Sequence, residues 1–284
     1  MNAKKLILLG ASAMLLASCG QSLTRAEAIE EMDTISKKEG VTATKLTYVK
    51  EWKEENATKK LGKKTLVADG ESKNFYVKND FTNDGKEVKS EAWIYLKDDV
   101  YTVAFQDGDT KNYYELAKAD DEDGAMGLTA QSTIDSSIAN GKKVGSKSNG
   151  YGYCGFLAKF PEGEGKIEAG EGKIEAGKTI AEGAYIKDES YVKNGDGNLS
   201  CSYNAVYSEK DEVMKAEWKD YLLVAKSNAK TSSASGYGFE TWDYKKASIS
   251  APKLDNFSKI DASGVAGALA LTAFLASWAA VVAA

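Results

Sequence analysis

Between Val88 and Lys97 the chain alternates strictly. Val88, Ser90, Ala92, Ile94 and Leu96 share one parity, and Lys89, Glu91, Trp93, Tyr95 and Lys97 the other. A period of two is the mark of a strand whose two faces meet different surroundings. Asp98-Asp99 turns the chain, Tyr101, Val103 and Phe105 alternate on the return, and Asp107-Gly108-Asp109 turns it again before Tyr113 to Leu116. Similar punctuation at Asp69-Gly70 and Asn83-Asp84-Gly85 predicts an antiparallel meander over 41–116. Strands are expected again over 184–192, 199–207, 213–225 and 235–250. Asn194-Gly195-Asp196-Gly197-Asn198 opens like a calcium loop, but Leu199 replaces the obligatory glycine and Ala205 the bidentate glutamate, so it reads as a turn.

Two segments carry helical spacing instead. Thr24-Arg25-Ala26-Glu27 is a capping box, followed by Ala28, Met32 and Ile35 and then by Gly40 where a left-handed cap would stand; a helix is predicted over 25–39. Met126, Ala130, Ile134 and Ile138 predict a second helix over 125–139, ended by Asn140-Gly141. The acidic run at 120–123 before it lacks EF-hand spacing and reads as a solvated loop at the helix's positive end. Lys142 to Gly150 reads as a polar connection. Glu164–Gly170 then recurs unchanged as Glu171–Gly177. Two units are too few for a solenoid, and doubling a surface loop adds only about 0.6 kcal/mol of closure entropy, so 161–181 is expected to be an exposed loop.

The N-terminus looks like an address. Lys4 and Lys5 precede twelve uncharged residues, Leu6 to Ala17, a stretch too short to span a bilayer as a permanent helix. It ends Leu16-Ala17-Ser18-Cys19-Gly20, and a cysteine directly after Leu-Ala-Ser resembles the lipobox of bacterial lipoproteins. The resemblance implies a signal peptide over 1–18, diacylglycerol on the Cys19 sulfur, a lipidated tether over 19–23, and a location outside the cytoplasm, at the cell surface or a periplasmic face. Each buried methylene contributes about 0.8 kcal/mol, so two or three acyl chains anchor firmly where one does not. At the other end, 261–284 holds 23 uncharged residues from Ala262 onward, ten of them alanine. The length suits a membrane helix, whereas alanine adds little to insertion and no Lys or Arg follows. Membrane association and docking on the domain both remain open.

Composition narrows the chemistry. The 284 residues are 43% hydrophobic and 28% charged, as in ordinary globular proteins, and the net charge of −5 gives no reason to expect nucleic acid. No histidine is present. That excludes a Ser-His-Asp triad, a Cys-His pair, His-ligated zinc and facial-triad iron. Carboxylates stand isolated in turns rather than paired, so neither an enzyme nor a metal or other cofactor is expected. With Cys19 lipidated, Cys154 and Cys201 form an even pair in an exported chain. They are either a disulfide closing a loop of about 48 residues, contributing about 4 kcal/mol in the chain-entropy model, or two separate buried thiols.

A helix, a strand meander, a middle helix and further long strands ending near Pro252 resemble, over 24–260, the lipoprotein carrier and binding proteins of the LolA/LppX type. The resemblance implies an α+β fold: a strongly curved antiparallel β-sheet, an open half-barrel, with helices across its concave face and room between them for acyl chains. Trp93, Tyr95, Tyr101, Phe105, Trp218 and Trp242 are the candidate cavity-lining side chains, although each could equally fill a core. Two functions follow: a membrane-anchored protein binding a lipid or other hydrophobic ligand, or an adhesive surface lipoprotein that meets a host or envelope partner with no small ligand.

Overall fold

Helix α1 (Arg25–Lys37) starts on the capping box: Thr24 Oγ1 accepts from the Glu27 amide at 3.3 Å, and the Glu27 carboxylate accepts from the Thr24 amide at 2.8 Å. Ala28, Met32 and Ile35 form its buried stripe. Gly40 is left-handed, with φ of 73°, but lies beyond the cap; the cap itself, Lys38, is extended. The computed structural model describes residues 20–53, 61–83, 86–122, 124–150, 152–168, 182–207, 210–230 and 237–261. The leader, Cys19, the second repeat copy, part of the Asn83-Asp84-Gly85 turn and the Ala-rich end lie outside the described residues.

Helix α2 (Ala125–Gly145) runs past Asn140-Gly141, where the sequence suggested a stop. The glycines serve close approach instead of termination. A Cβ at Gly141 would stand 3.0 Å from Leu223 Cβ, and one at Gly145 would stand 3.0 Å from the Met32 carbonyl oxygen. Each glycine costs a helix interior about 1 kcal/mol relative to alanine, offset here by contact with a strand and with α1. A short helix α3 (Tyr153–Leu157), which the sequence did not announce, follows.

Among the described residues the strands form one open sheet of 13, in the order β1-β8-β9-β10-β11-β12-β2-β3-β4-β5-β6-β7-β13. The first meander is β2 (Lys45–Lys53), β3 (Leu61–Asp69), β4 (Asn74–Asn83), β5 (Lys86–Lys97), β6 (Val100–Asp107) and β7 (Thr110–Ala117). The second is β8 (Tyr185–Lys193), β9 (Leu199–Tyr207), β10 (Lys210–Lys219), β11 (Leu222–Lys230) and β12 (Tyr237–Asp243). β12 pairs antiparallel with β2 and joins them. The edges are β1 (Gln21–Ser22), on β8, and β13 (Ser258–Lys259), parallel to β7. Edges of two residues offer little template for a foreign strand.

Several expectations are corrected. Val213 to Ala225 is not one strand but the hairpin β10–β11, turned by Asp220 and Tyr221 at φ of 51° and 65°. The tight turn was hidden because it holds no glycine. Tyr221 tolerates the left-handed region while its ring lies over Gly197, where a Cβ would come within 2.7 Å of it, and its amide donates to the Gly197 carbonyl at 3.0 Å. The strand expected over 235–250 ends at Asp243, whose carboxylate accepts from the Lys245 amide at 2.9 Å and bends the chain out of the sheet. The tether is docked at Gln21–Ser22. The loop at 161–181 is not wholly exposed: Ile167 is buried, and its amide donates to the Ala184 carbonyl at 3.0 Å. Cys154 and Cys201 are free buried thiols, Cys154 Sγ donating to the Ile29 carbonyl at 3.4 Å.

Two cores result. One gathers Met32, Ile35, Leu157, Leu199, Tyr203 and Trp218 from α1, α3 and the second meander. The other gathers Ile134 of α2 with Leu46, Leu66, Phe75, Ile94 and Tyr101 of the first. Trp242 packs against both.

One buried pair fixes α1 to the sheet. Arg25, 7% exposed, donates through Nε to Glu189 of β8 at 2.6 Å, and through its terminal nitrogens to the Pro161 and Gly163 carbonyls. Tyr191 Oη donates to the same carboxylate at 2.7 Å. Removing one partner strands a buried charge, so Glu189→Ala is expected to lower unfolding stability by about 3 kcal/mol in urea titrations at unchanged m-value. A loss below about 1 kcal/mol contradicts this role.

Candidate functional site

Alternation along each strand and the register between strands define rows of side chains on the core face. One row runs Trp242, Tyr48, Leu66, Val77, Ala92 and Phe105, each opposite the next. Its middle members belong to the core shared with α2. Two residues further along every strand the character changes: Lys226, Glu240, Lys50, Lys64, Asn79 and Ser90 stand opposite one another in turn. The next row is apolar again: Gly238, Trp52, Gly62, Phe81 and Val88. A polar stripe thus crosses the sheet between two apolar ones.

The stripe is electrically lopsided. Glu240 accepts from Tyr48 Oη at 2.7 Å and pairs with Lys226 at 3.1 Å and, more loosely, with Lys50 at 3.9 Å. Asn79 Nδ2 donates to Ser90 Oγ at 3.1 Å. Lys64, 2% exposed, makes no ion pair or side-chain hydrogen bond with any described residue. Burial, then repulsion from Lys50, lowers its ammonium to about 8. Burial and the Glu240 charge push the Tyr48 phenol far up. Beside the stripe, Trp52 lies across Gly62: a Cβ there would stand 2.4 Å from the indole and 2.6 Å from Phe81 Cβ. Trp52 and Phe81 pack with ring centroids 6.3 Å apart, and neither belongs to a core cluster.

The six aromatics singled out in the sequence do not come together. Tyr101 and Phe105 face the α2 core, Trp218 is 1% exposed in the other core, and Trp242 lies between them. Trp93 and Tyr95 have the opposite parity to Ile94 and point to the other face, Trp93 against Tyr76 at 5.3 Å and Phe257 at 6.3 Å. What sequence reasoning missed is Lys64, although the signal was present: it shares its parity with Leu66 and Ala68, an odd place for a solvated lysine.

Other features offer less chemistry. Burial, then Asp33, pushes the Cys154 thiol up to about 12, and burial raises Cys201 as well, so neither is a ready nucleophile. A groove of about 660 Å³ runs beside α1, and two of its acids are engaged, Glu30 with Lys147 at 2.6 Å and Glu31 with Lys193 at 2.7 Å. Among the described residues no three His, Cys, Asp or Glu side chains gather as a metal site, and no helix is long and apolar enough to cross a membrane.

No protein-family model matches this sequence, and no curated protein matches it. A weak structural neighbour is the crystal structure of a DUF1329 family protein from Desulfovibrio piger ATCC 29098, at 9% identity over 77% of this chain and 90% of that one, with a TM-score of 0.17. A score that low carries no argument about shared function.

Lys64 makes stability depend on pH. Below pH 8 both the folded and unfolded chains hold its proton, and the folded state bears the whole cost of a buried ammonium. Between about 8 and 10.5 the unfolded chain binds more proton, so stability rises with pH. Lys64→Met is expected to be more stable than the parent at pH 7 by up to roughly 3 kcal/mol, the gap closing by pH 10.5. Denaturant titrations across that range decide; parallel profiles refute it.

Proposed function

We propose that the protein is an extracytoplasmic lipoprotein, held to a membrane by acyl chains on Cys19, that binds a lipid or other hydrophobic molecule along the core face of its open sheet. In this reading the sheet is a strongly curved half-barrel of the LolA/LppX kind, with α1 and α2 across its concave side. The observation that supports ligand binding most is Lys64 and its surroundings. A buried lysine without a counter-charge among the described residues is costly to retain, and in register it neighbours Trp52 and Phe81, apolar surface that neither core uses. Docking of the tether as β1 supports the anchor, since it holds the chain beside Cys19 at a sheet edge.

A second reading, adhesion without a small ligand, draws on the other face of the sheet. Trp93 packs there with Tyr76 and Phe257, and Phe239 is 42% exposed. Such surface suits a protein partner of the host or envelope.

Native and intact-mass spectrometry of the full chain, exported and purified from membranes, separates the two. The binding reading expects a covalent diacylglyceryl mass on Cys19 together with a non-covalent adduct released by organic solvent. A lipidated protein that carries no adduct and takes up none from a lipid extract supports adhesion. An unmodified Cys19 removes the anchor.

A further inference from the structure

We infer that the core face takes an anionic single-chain amphiphile, a long hydrocarbon ending in a carboxylate or phosphate, with its head on Lys64 and Lys50 and its chain over Trp52 and Phe81. The inference rests on the binding reading above and adds the chemistry of the ligand.

The charge count comes first. The stripe holds three ammonium groups, Lys226, Lys50 and Lys64, and one carboxylate, Glu240. That carboxylate is shared: it sits 3.1 Å from Lys226, accepts from Tyr48 at 2.7 Å, and leaves Lys50 at 3.9 Å. Three further acids share the face but not the stripe's charge balance. Glu189 is held by Arg25 and Tyr191. Glu212 accepts from Asn228 at 2.7 Å and stands near the start of β10, and Asp107 is exposed opposite Ser90. Among the described residues, Lys64 is therefore left beside Lys50 with like charge next to it and no acid against it.

A neutral ligand would make this worse, because it would cover the ammonium with hydrocarbon and remove the last water from it. A cationic ligand would be repelled. An incoming carboxylate or phosphate supplies the missing counter-charge in a place where charge-assisted hydrogen bonds are strong. Asn79, directly opposite Lys64, adds an amide that can turn toward the same head.

The path of the chain follows from packing. On the α2 side of the stripe, Leu66, Val77 and Ala92 are already buried in a core that includes Met126, Ala130 and Ile134. On the other side, Gly238, Trp52, Gly62, Phe81 and Val88 cross five strands, which at ~4.8 Å per strand is about 19 Å of glycine and aromatic floor. Glycine at 62 lets the Trp52 indole come close to the backbone there, since any Cβ would overlap it. A polar head at the stripe and an apolar tail along this floor match a single-chain amphiphile.

The test is calorimetric titration of the full chain in a non-ionic detergent with palmitate, hexadecyl phosphate and hexadecanol, three ligands that share one chain and differ in the head. Saturable binding of at least one anion is expected, at least tenfold tighter than hexadecanol. Lys64→Met should weaken the anion at least tenfold and leave hexadecanol unchanged, while Lys64→Arg, which keeps the charge, should stay within threefold of the parent. Thermal unfolding of each variant verifies its fold. Palmitate alone identifies a fatty-acid head, and hexadecyl phosphate alone identifies a phosphate head; both supports the shared chemistry. Hexadecanol binding as tightly as the anions, or unchanged anion binding by Lys64→Met, overturns the anionic head while leaving hydrophobic binding intact. Failure of all three ligands overturns the binding reading itself.

Discussion

Everything described here depends on the pairing of β12 with β2. It is a seam of seven residue pairs, from Tyr237 opposite Lys53 to Asp243 opposite Thr47, between segments from opposite ends of the domain. Without it the two meanders would each expose another long edge, and open strand edges invite foreign pairing. With it, Trp242 meets Tyr48 and packs against both cores, and Glu240 arrives beside Lys50. Such a seam closes a very long loop and costs more chain entropy than the local hairpins do. The candidate site lies beside this seam: Lys50, Trp52, Lys64 and Phe81 belong to the first meander, and Glu240, Lys226 and Gly238 come from across it.

Beside the same seam one buried charge departs from the pattern of its neighbours. On its two sides α1, α2 and α3 cover apolar positions, and buried side chains find partners: Arg25 with Glu189, Asp33 with Lys37 and the Lys147 amide. In the stripe Lys64 is buried with no ion pair or side-chain hydrogen bond to any described residue, at a place where methionine would fit the apolar parity of its strand. Stability given up at one buried residue, beside aromatic surface that no core uses, is the pattern expected where a ligand completes the structure.

Much of the architecture was readable in the sequence because local chemistry and tertiary structure agree there. The capping box of Thr24 and Glu27 forms as written, and the Asp98-Asp99 turn holds both residues left-handed, at φ of 51° and 57°. The misreadings arose where a long-range contact overrode a local signal. Gly141 looked like a helix stop but answers to Leu223, eighty positions along the chain, and Asp220-Tyr221 carried no glycine to mark its turn. The aromatic residues named as cavity lining were chosen by type. Parity already separated Trp93 and Tyr95 from Ile94, and register then divided the rest between two cores. The polar stripe was illegible for a different reason: its members come from six strands, and only register reveals them as neighbours.

A bound amphiphile has its head and its tail end at different places on the core face. A crystal structure of the full chain grown with a terminally brominated fatty acid locates both ends of the ligand at once, the carboxylate by its density and the bromine by its anomalous signal. Carboxylate oxygens are expected within hydrogen-bond distance of Lys64 Nζ, and bromine over the floor made by Trp52, Gly62 and Phe81. Bromine in the groove beside α1, or on the opposite face near Trp93, contradicts that placement.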